Sequence, residues 1–159
     1  MQNRSMSERH IRLALPSDHQ PLIRLREALW PESSPQEHTR ELQAILERKY
    51  SGAMPLVIFV AEDTDGKLIG FLEVGLRSHA DGCDPAHPVG FIEGWFVKDH
   101  DRRKGIGRQL LKAAEDWARR YGCVEMASDT WIDQIISQHV HEALGFTVVD
   151  RCVHYRKPL

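Results

Sequence analysis

Cysteine is scarce in this chain: Cys83, Cys123 and Cys152 are an odd number of thiols with no paired spacing. This usage argues against a disulfide-stapled scaffold and favours a reduced, cytoplasmic protein. Long apolar runs are also missing, and the first ten residues, MQNRSMSERH, are polar. The sequence therefore predicts neither a membrane-spanning helix nor a signal peptide.

A large excess of one charge sign is absent too, since the formal net charge is −2 and the isoelectric point is about 6.5. General nucleic-acid binders are usually clearly basic, so that class of partner is disfavoured. The chain shows no internal repeat, linker or low-complexity segment. We therefore predict a single domain over residues 1–159.

Apolar periodicity and turn signals predict alternating strands and helices along this domain. The apolar run 56–61 is typical of a strand that is covered on both faces, and Asp63-Thr64-Asp65-Gly66 predicts a hairpin turn after it. The predicted strands are 11–15, 56–61, 68–76, 89–97, 125–128 and 146–155, and the predicted helices are 19–30, 35–50, 106–121 and 133–144. The fold class is α+β, with a mixed, mostly antiparallel central sheet flanked by helices.

A basic, glycine-containing loop precedes the third helix. A helix N-terminus offers unpaired N–H groups and the positive end of the helix dipole, and glycine lets an anion approach the main chain closely. Phosphate or pyrophosphate binding is the function this pattern favours; the alternative is a solvated basic turn. The segment has neither the Gly-Lys-Ser/Thr ending of a P-loop nor three-glycine dinucleotide spacing. Its residues are Arg102, Arg103, Lys104, Gly105, Ile106, Gly107 and Arg108.

The element order and the segment Arg102-x-x-Gly105-x-Gly107 resemble the GNAT N-acetyltransferases, whose glycine loop binds the pyrophosphate of acetyl-CoA. Five further islands, in the same order, resemble more narrowly the bacterial aminoglycoside 6'-N-acetyltransferases. They are Leu29-Trp30-Pro31, Ile92-Glu93-Gly94-x-Phe96-Val97, Ala127-Ser128-Asp129-Thr130, Ile136-Ser137-Gln138 and His141-x-Ala143-Leu144-Gly145-Phe146.

This resemblance implies acetyl-CoA as co-substrate, direct acetyl transfer to the 6'-amino group of an aminoglycoside, and no metal. Trp95, Phe96 and Val97 would run beside the pantetheine arm. The N–H of Val97 would polarise the thioester carbonyl. Gln134 and Ser137, on one face of the fourth helix, would contribute to the cofactor site.

Glu93 lies in an otherwise apolar strand, where a buried carboxylate would be rare unless it is paired or functional. It could accept a proton from the substrate ammonium, or it could be an edge-facing glutamate that contacts a cation. Asp129 could bind substrate amines or cap the following helix. The resemblance adds Trp30, for stacking on a sugar ring, and Asp150. His79 or Ala80 falls where the family often carries an aromatic loop residue.

His141 takes the position where many GNAT enzymes carry the tyrosine that protonates the departing thiolate. A histidine suits that task near neutral pH, although it could also be structural. A zinc site at His79, Cys83, Asp84 and His87 is disfavoured, because no paired-cysteine pattern supports it.

Alternative functions keep part of this interpretation. The acceptor could be a polyamine, a peptide N-terminus or a lysine, or the chain could be a silent acyl-CoA-binding sensor. Aminoglycoside acetylation is favoured because it explains the largest number of the matching sequence segments. The resemblance also implies a homodimer. The charge balance and the lack of long apolar runs predict no nucleic-acid or membrane partner.

Overall fold

A computed structural model describes residues 10–47 and 54–159 of the chain. The first nine residues, over which the sequence predicts no signal peptide, lie outside the described residues, as do residues 48–53. The elements in chain order are β1 (His10–Leu13), α1 (His19–Leu29), α2 (Pro35–Leu46), β2 (Leu56–Glu62), β3 (Leu68–Arg77), β4 (Val89–Val97), α3 (Ile106–Arg120), β5 (Met126–Ser128) and α4 (Ile135–Ala143).

The five strands form one sheet in sequential order. The first four strands pair antiparallel, and β5 joins β4 in parallel. The predicted mixed, mostly antiparallel sheet is therefore confirmed. β5 pairs with β4 only as far as Ile92, opposite Ser128. Beyond Ile92, β4 has no strand on that side within the described part of the chain.

Apolar clusters cover both faces of the sheet. Leu22 and Leu42, on α1 and α2, pack with Val60 and Phe71 on one face. On the other face, α3 contributes the buried cluster residues Ile106, Leu110, Leu111, Ala114, Trp117 and Ala118. The central strands β2 and β3 are thus buried on both sides, as the continuous apolar run predicts.

Local signals set the ends of the first two helices. α1 ends at Leu29 with Trp30 as its C-cap, because Pro31, the next residue, cannot continue the helix. α2 begins with a capping box: Ser34 Oγ accepts from the Glu37 N–H at 3.2 Å, and the Glu37 carboxylate accepts from the Ser34 N–H at 2.8 Å. The predicted extension of α2 to residue 50 is wrong at Glu47, which is the C-cap of the helix. Residues 48–50 lie outside the described residues.

The predicted final strand is absent. Residues 146–155 are described, but they pair with no strand, and most of them are exposed. The alternating apolar pattern there is typical of a strand, yet a strand forms only where a neighbouring edge offers backbone partners. Among the described residues, no helix is both long enough and apolar enough to cross a membrane.

Candidate active site

One extra residue in β4 positions Glu93. Glu73 on β3 lies opposite Gly94, and the next residue, Val74, lies opposite Ile92. Glu93 is therefore the unmatched residue of a β-bulge, a device that redirects a side chain and increases local twist. The bulge lies immediately beyond the point where β5 stops pairing with β4.

The Glu93 side chain is exposed and paired with Arg77 at the end of β3. The Arg77 Nη2 donates to both Glu93 carboxylate oxygens, at 2.9 and 3.1 Å. The same guanidinium lies 3.3 Å from the centroid of the Phe91 ring. The bulge removes Glu93 from the buried pattern of its strand, so this carboxylate is exposed and contacts a cation, and its role as a proton acceptor stays a prediction.

Trp30 lies directly on the strand beside Glu93. A Cβ built on Gly94 would come within 2.4 Å of the Trp30 indole, so this position admits only glycine at the observed approach. His38 Nε2 donates to the Trp30 carbonyl at 3.1 Å, and the His38 ring stacks on the indole at 6.4 Å. Residues of α1, α2 and β4 together fix this half-buried tryptophan next to the carboxylate.

A buried ion pair supports the same region. Arg26 on α1 bonds to Glu73 on β3 and to Glu41 on α2, and its guanidinium lies 4.9 Å from the Trp30 ring. Burial raises the pKa of Glu73 to about 7, and Arg26 opposes that rise. Sequence reasoning missed this pair, although an arginine on the apolar face of a helix and a glutamate inside LIGFLEVGL were both visible signals.

The glycine loop begins α3 as predicted. Gly105 adopts the left-handed region with φ of 79°, and Arg103 does so with φ of 60°. Arg102 donates from Nε to the Val97 carbonyl at 2.9 Å and pairs with Asp99, while Lys104 pairs with Asp101 at 3.1 Å. Asp99 and Asp101, just before the loop, thus pair with two of its four cations.

The free edge of β4 leads from this loop to the bulge. The Lys98 N–H donates to the Ile69 carbonyl at 2.9 Å. By the alternation of an antiparallel ladder, the N–H groups of Val97 and Trp95 then point to the opposite, unpaired edge. They are available to polarise a carbonyl or to bind an extended pantetheine arm. The Trp95 indole lies over Gly107, where a built Cβ would be 3.4 Å away.

His141 on α4 packs beside Trp95. Its ring contacts Trp95 edge-on at 5.7 Å and Phe146 at 5.3 Å. Its Nδ1 lies 2.7 Å from the Ser137 carbonyl, and its Nε2 lies 2.9 Å from Ser128 Oγ on β5. Both ring nitrogens therefore have partners. Gln134 immediately precedes α4 and is exposed.

The remaining predicted substrate residues are all exposed. Asp129 directly follows Ser128, whose pairing with Ile92 brings this end of β5 next to the bulge in β4. Asp150 lies in the unpaired C-terminal segment, next to Val149, whose side chain packs against Gly82 in the 78–87 loop. His79 lies in that same loop.

The disfavoured zinc cluster is not assembled. Asp84 instead organises its own turn, accepting from the Ala86 N–H at 2.9 Å and lying 3.2 Å from His87 Nδ1. Within residues 10–47 and 54–159, no group of three His, Cys, Asp or Glu side chains is placed to hold a metal ion.

Comparison with known proteins gives one consistent result. The acetyltransferase (GNAT) family model matches residues 21–146. The chain is 40% identical over 146 residues to the aminoglycoside N(6')-acetyltransferase type 1 of Serratia marcescens, covering 89% of this chain and 96% of the relative. It is 41% identical to the Klebsiella aerogenes protein of the same name, covering 90% and 92%.

Solved structures agree. AAC(6')-Iy in complex with the bisubstrate analog CoA-S-monomethyl-acetylneamine matches with a TM-score of 0.86 and 37% identity, over 96% of this chain and 100% of that one. AAC(6')-IG from Acinetobacter haemolyticus matches with a TM-score of 0.84 and 31% identity, over 94% and 99%. The chain belongs to the GNAT acetyltransferase family and, within it, to the aminoglycoside 6'-N-acetyltransferases.

Proposed function

We propose that this enzyme transfers acetyl directly from acetyl-CoA to the 6'-amino group of aminoglycoside antibiotics, as the names of its relatives indicate. Acetylation removes one cationic charge that such a drug uses to bind nucleic acid. One observation carries the proposal: an exposed carboxylate, Glu93, and an aromatic platform, Trp30, share the bulge at the end of the free β4 edge.

The proposed site residues form two groups, one for acetyl-CoA and one for the aminoglycoside. The pyrophosphate binds the N–H groups and cations of the loop from Arg102 to Arg108, whose glycines leave room for it. Trp95, Phe96 and Val97 line the arm, with the Val97 N–H directed to the thioester carbonyl, and Gln134 and Ser137 border it from α4. Trp30, His79, Glu93, Asp129 and Asp150 bind the cationic sugar.

Glu93 either accepts a proton from the substrate ammonium through water or holds that ammonium electrostatically. Substrate entry then exchanges one cation for another, because Arg77 already occupies this carboxylate. The protein works in the cytoplasm, where its free thiols Cys83, Cys123 and Cys152 stay reduced.

The test is release of coenzyme A, followed with a thiol reagent over a panel of amines. We expect turnover with aminoglycosides that carry a 6'-amino group and none with a 6'-hydroxyl analogue, spermidine or a lysine peptide. Glu93→Gln should lower kcat/KM about 100-fold, because it removes the charge and the proton acceptor but keeps the shape. The matched control is Glu115→Gln, on the surface of α3.

Turnover only with spermidine or the peptide would replace the proposed acceptor. Acetyl-CoA binding without turnover on any amine would instead support the sensor function. An unchanged kcat/KM in Glu93→Gln would remove Glu93 from the mechanism.

We also propose a homodimer in which a second copy covers the C-terminal segment. Residues 147–155 have a strand-like apolar pattern with no partner strand in the described chain. Val148, Val153 and Tyr155 are 58%, 73% and 92% exposed. Light scattering should give about twice the 18.3 kDa mass of one chain, and Val153→Asp should return the monomer mass. A monomer mass for the unaltered protein would contradict this proposal.

A further inference from the structure

Ser128 and His141 form a hydrogen-bonded dyad whose proton positions are fixed by a third group. A carbonyl oxygen only accepts, so His141 Nδ1, 2.7 Å from the Ser137 carbonyl, carries a proton. In the neutral ring, Nε2 is then an acceptor, and the Ser128 hydroxyl donates to it over 2.9 Å. A hydroxyl, a base and an orienting group in this order are the arrangement by which proteins move a proton at an oxygen.

The dyad lies where the open edge of β4 ends. Ser128 is the last residue of β5, and it pairs with Ile92, next to Glu93. A pantetheine arm that follows the free edge away from the glycine loop therefore arrives at the Ser128 hydroxyl, where β5 closes the edge. The neighbours that hold the ring in place, Trp95 and Phe146, are aromatic.

We propose that Ser128 and His141 carry one proton from the attacking amine to the leaving sulfur. Ser128 is the catalytic residue that touches the reacting atoms, and His141 is the positioning residue that stores the proton. The inference rests on the proposed acetyl transfer and adds a route for its proton. Of the two roles proposed for Glu93, it leaves the electrostatic one, in which the carboxylate holds the ammonium while Ser128 takes its proton.

The proton balance is complete without another reactant. Ser128 Oγ takes a proton from the substrate ammonium while its own proton passes to His141 Nε2. The amine nitrogen then bonds to the thioester carbon, and the C–S bond breaks. The imidazolium returns its proton to Ser128 Oγ, and Ser128 protonates the departing thiolate. The new amide nitrogen releases its remaining extra proton to solvent.

The experiment is a double-mutant cycle on kcat. We expect Ser128→Ala and His141→Gln each to lower kcat about 10–100-fold, and the double variant to be no slower than the slower single one. Ser128→Thr keeps the hydroxyl and should retain most of the rate. Acetyl-CoA affinity by calorimetry should stay unchanged in Ser128→Ala, because the loss falls on the chemical step.

Thr39→Ala, which deletes a hydroxyl on α2, is the control variant. Losses that multiply in the double variant, or a Ser128→Thr variant as slow as Ser128→Ala, would overturn the dyad. The wild-type rate tests the acetyl transfer itself, whereas the ratio of each variant to wild type tests the dyad, so the two failures are distinct.

Discussion

Arg26→Met is expected to lower the free energy of unfolding by about 3–5 kcal/mol at pH 8, because it strands the Glu73 carboxylate in the core. Arg26 and Glu73 are 2% and 3% exposed, so neither group can turn to water when its partner is lost. The methionine still fills the apolar part of the arginine site, which keeps the cavity contribution small.

The loss should depend on pH. The folded-state pKa of Glu73, about 7, lies above the 4.5 of an unburied glutamate, so the folded protein binds the extra proton. The stability that Glu73 contributes is therefore full below about pH 4.5 and is lost as the pH rises through 7. Without Arg26 that pKa rises further, and the decline extends to higher pH.

Urea unfolding at pH 6 and pH 8 measures this difference. The matched control is Arg24→Met, on the exposed side of the same helix, which should change stability by no more than about 0.5 kcal/mol. Adding Glu73→Gln to Arg26→Met should recover part of the loss at pH 8. Equal losses at both pH values would show that charge burial is not the cause.

Gly94→Ala should lower kcat/KM for the aminoglycoside by about 100-fold, since a displacement of about 1 Å at a positioned group has that effect. The new methyl would meet the Trp30 indole at 2.4 Å, well inside van der Waals contact. Either the ring or the bulge that carries Glu93 must move. The same collision should cost about 1–3 kcal/mol of stability.

Gly75→Ala is the control in the same sheet, because its nearest new contact, at 3.1 Å, would be the flexible end of the Leu56 side chain, while the Pro55 carbonyl oxygen stays at an ordinary 3.5 Å. We expect it to keep nearly the wild-type kcat/KM. Combining Gly94→Ala with Trp30→Phe makes room for the methyl and should recover stability. A wild-type kcat/KM in Gly94→Ala would place Trp30 outside the substrate site.

Periodicity predicted the elements and their order well, since each helix has one apolar face and each central strand is apolar. It failed for residues 146–155, because an alternating pattern reports that a segment can pair and not that a partner edge exists within the chain. The resemblance to the acetyltransferase family was found from short matching sequence segments. These segments are informative even where the apolar pattern does not decide between helix and strand.

The two strand glutamates show what pattern alone cannot separate. Glu73 and Glu93 both interrupt apolar runs, yet Glu73 is 3% exposed and paired with Arg26, whereas Glu93 lies exposed on a bulge. Their difference depends on one register shift between β3 and β4. No residue type marks that shift, so the sequence pattern pointed to Glu93, missed Glu73, and could not say which carboxylate was available to a substrate.

The same register shift changes which side chains of β4 face each side of the sheet. In an unbroken strand, residues three apart face opposite sides, yet Ile92 and Trp95 both pack against the α3 cluster. The side chains after Glu93 thus alternate between the two faces in the opposite phase to those before it. A single-residue deletion at Glu93 would restore regular pairing and leave Trp95 on the face of Ile92, two positions away, beside Gly107 and His141. The one extra residue of β4 therefore keeps Ile92 and Trp95 on the same face while adding an exposed carboxylate between them.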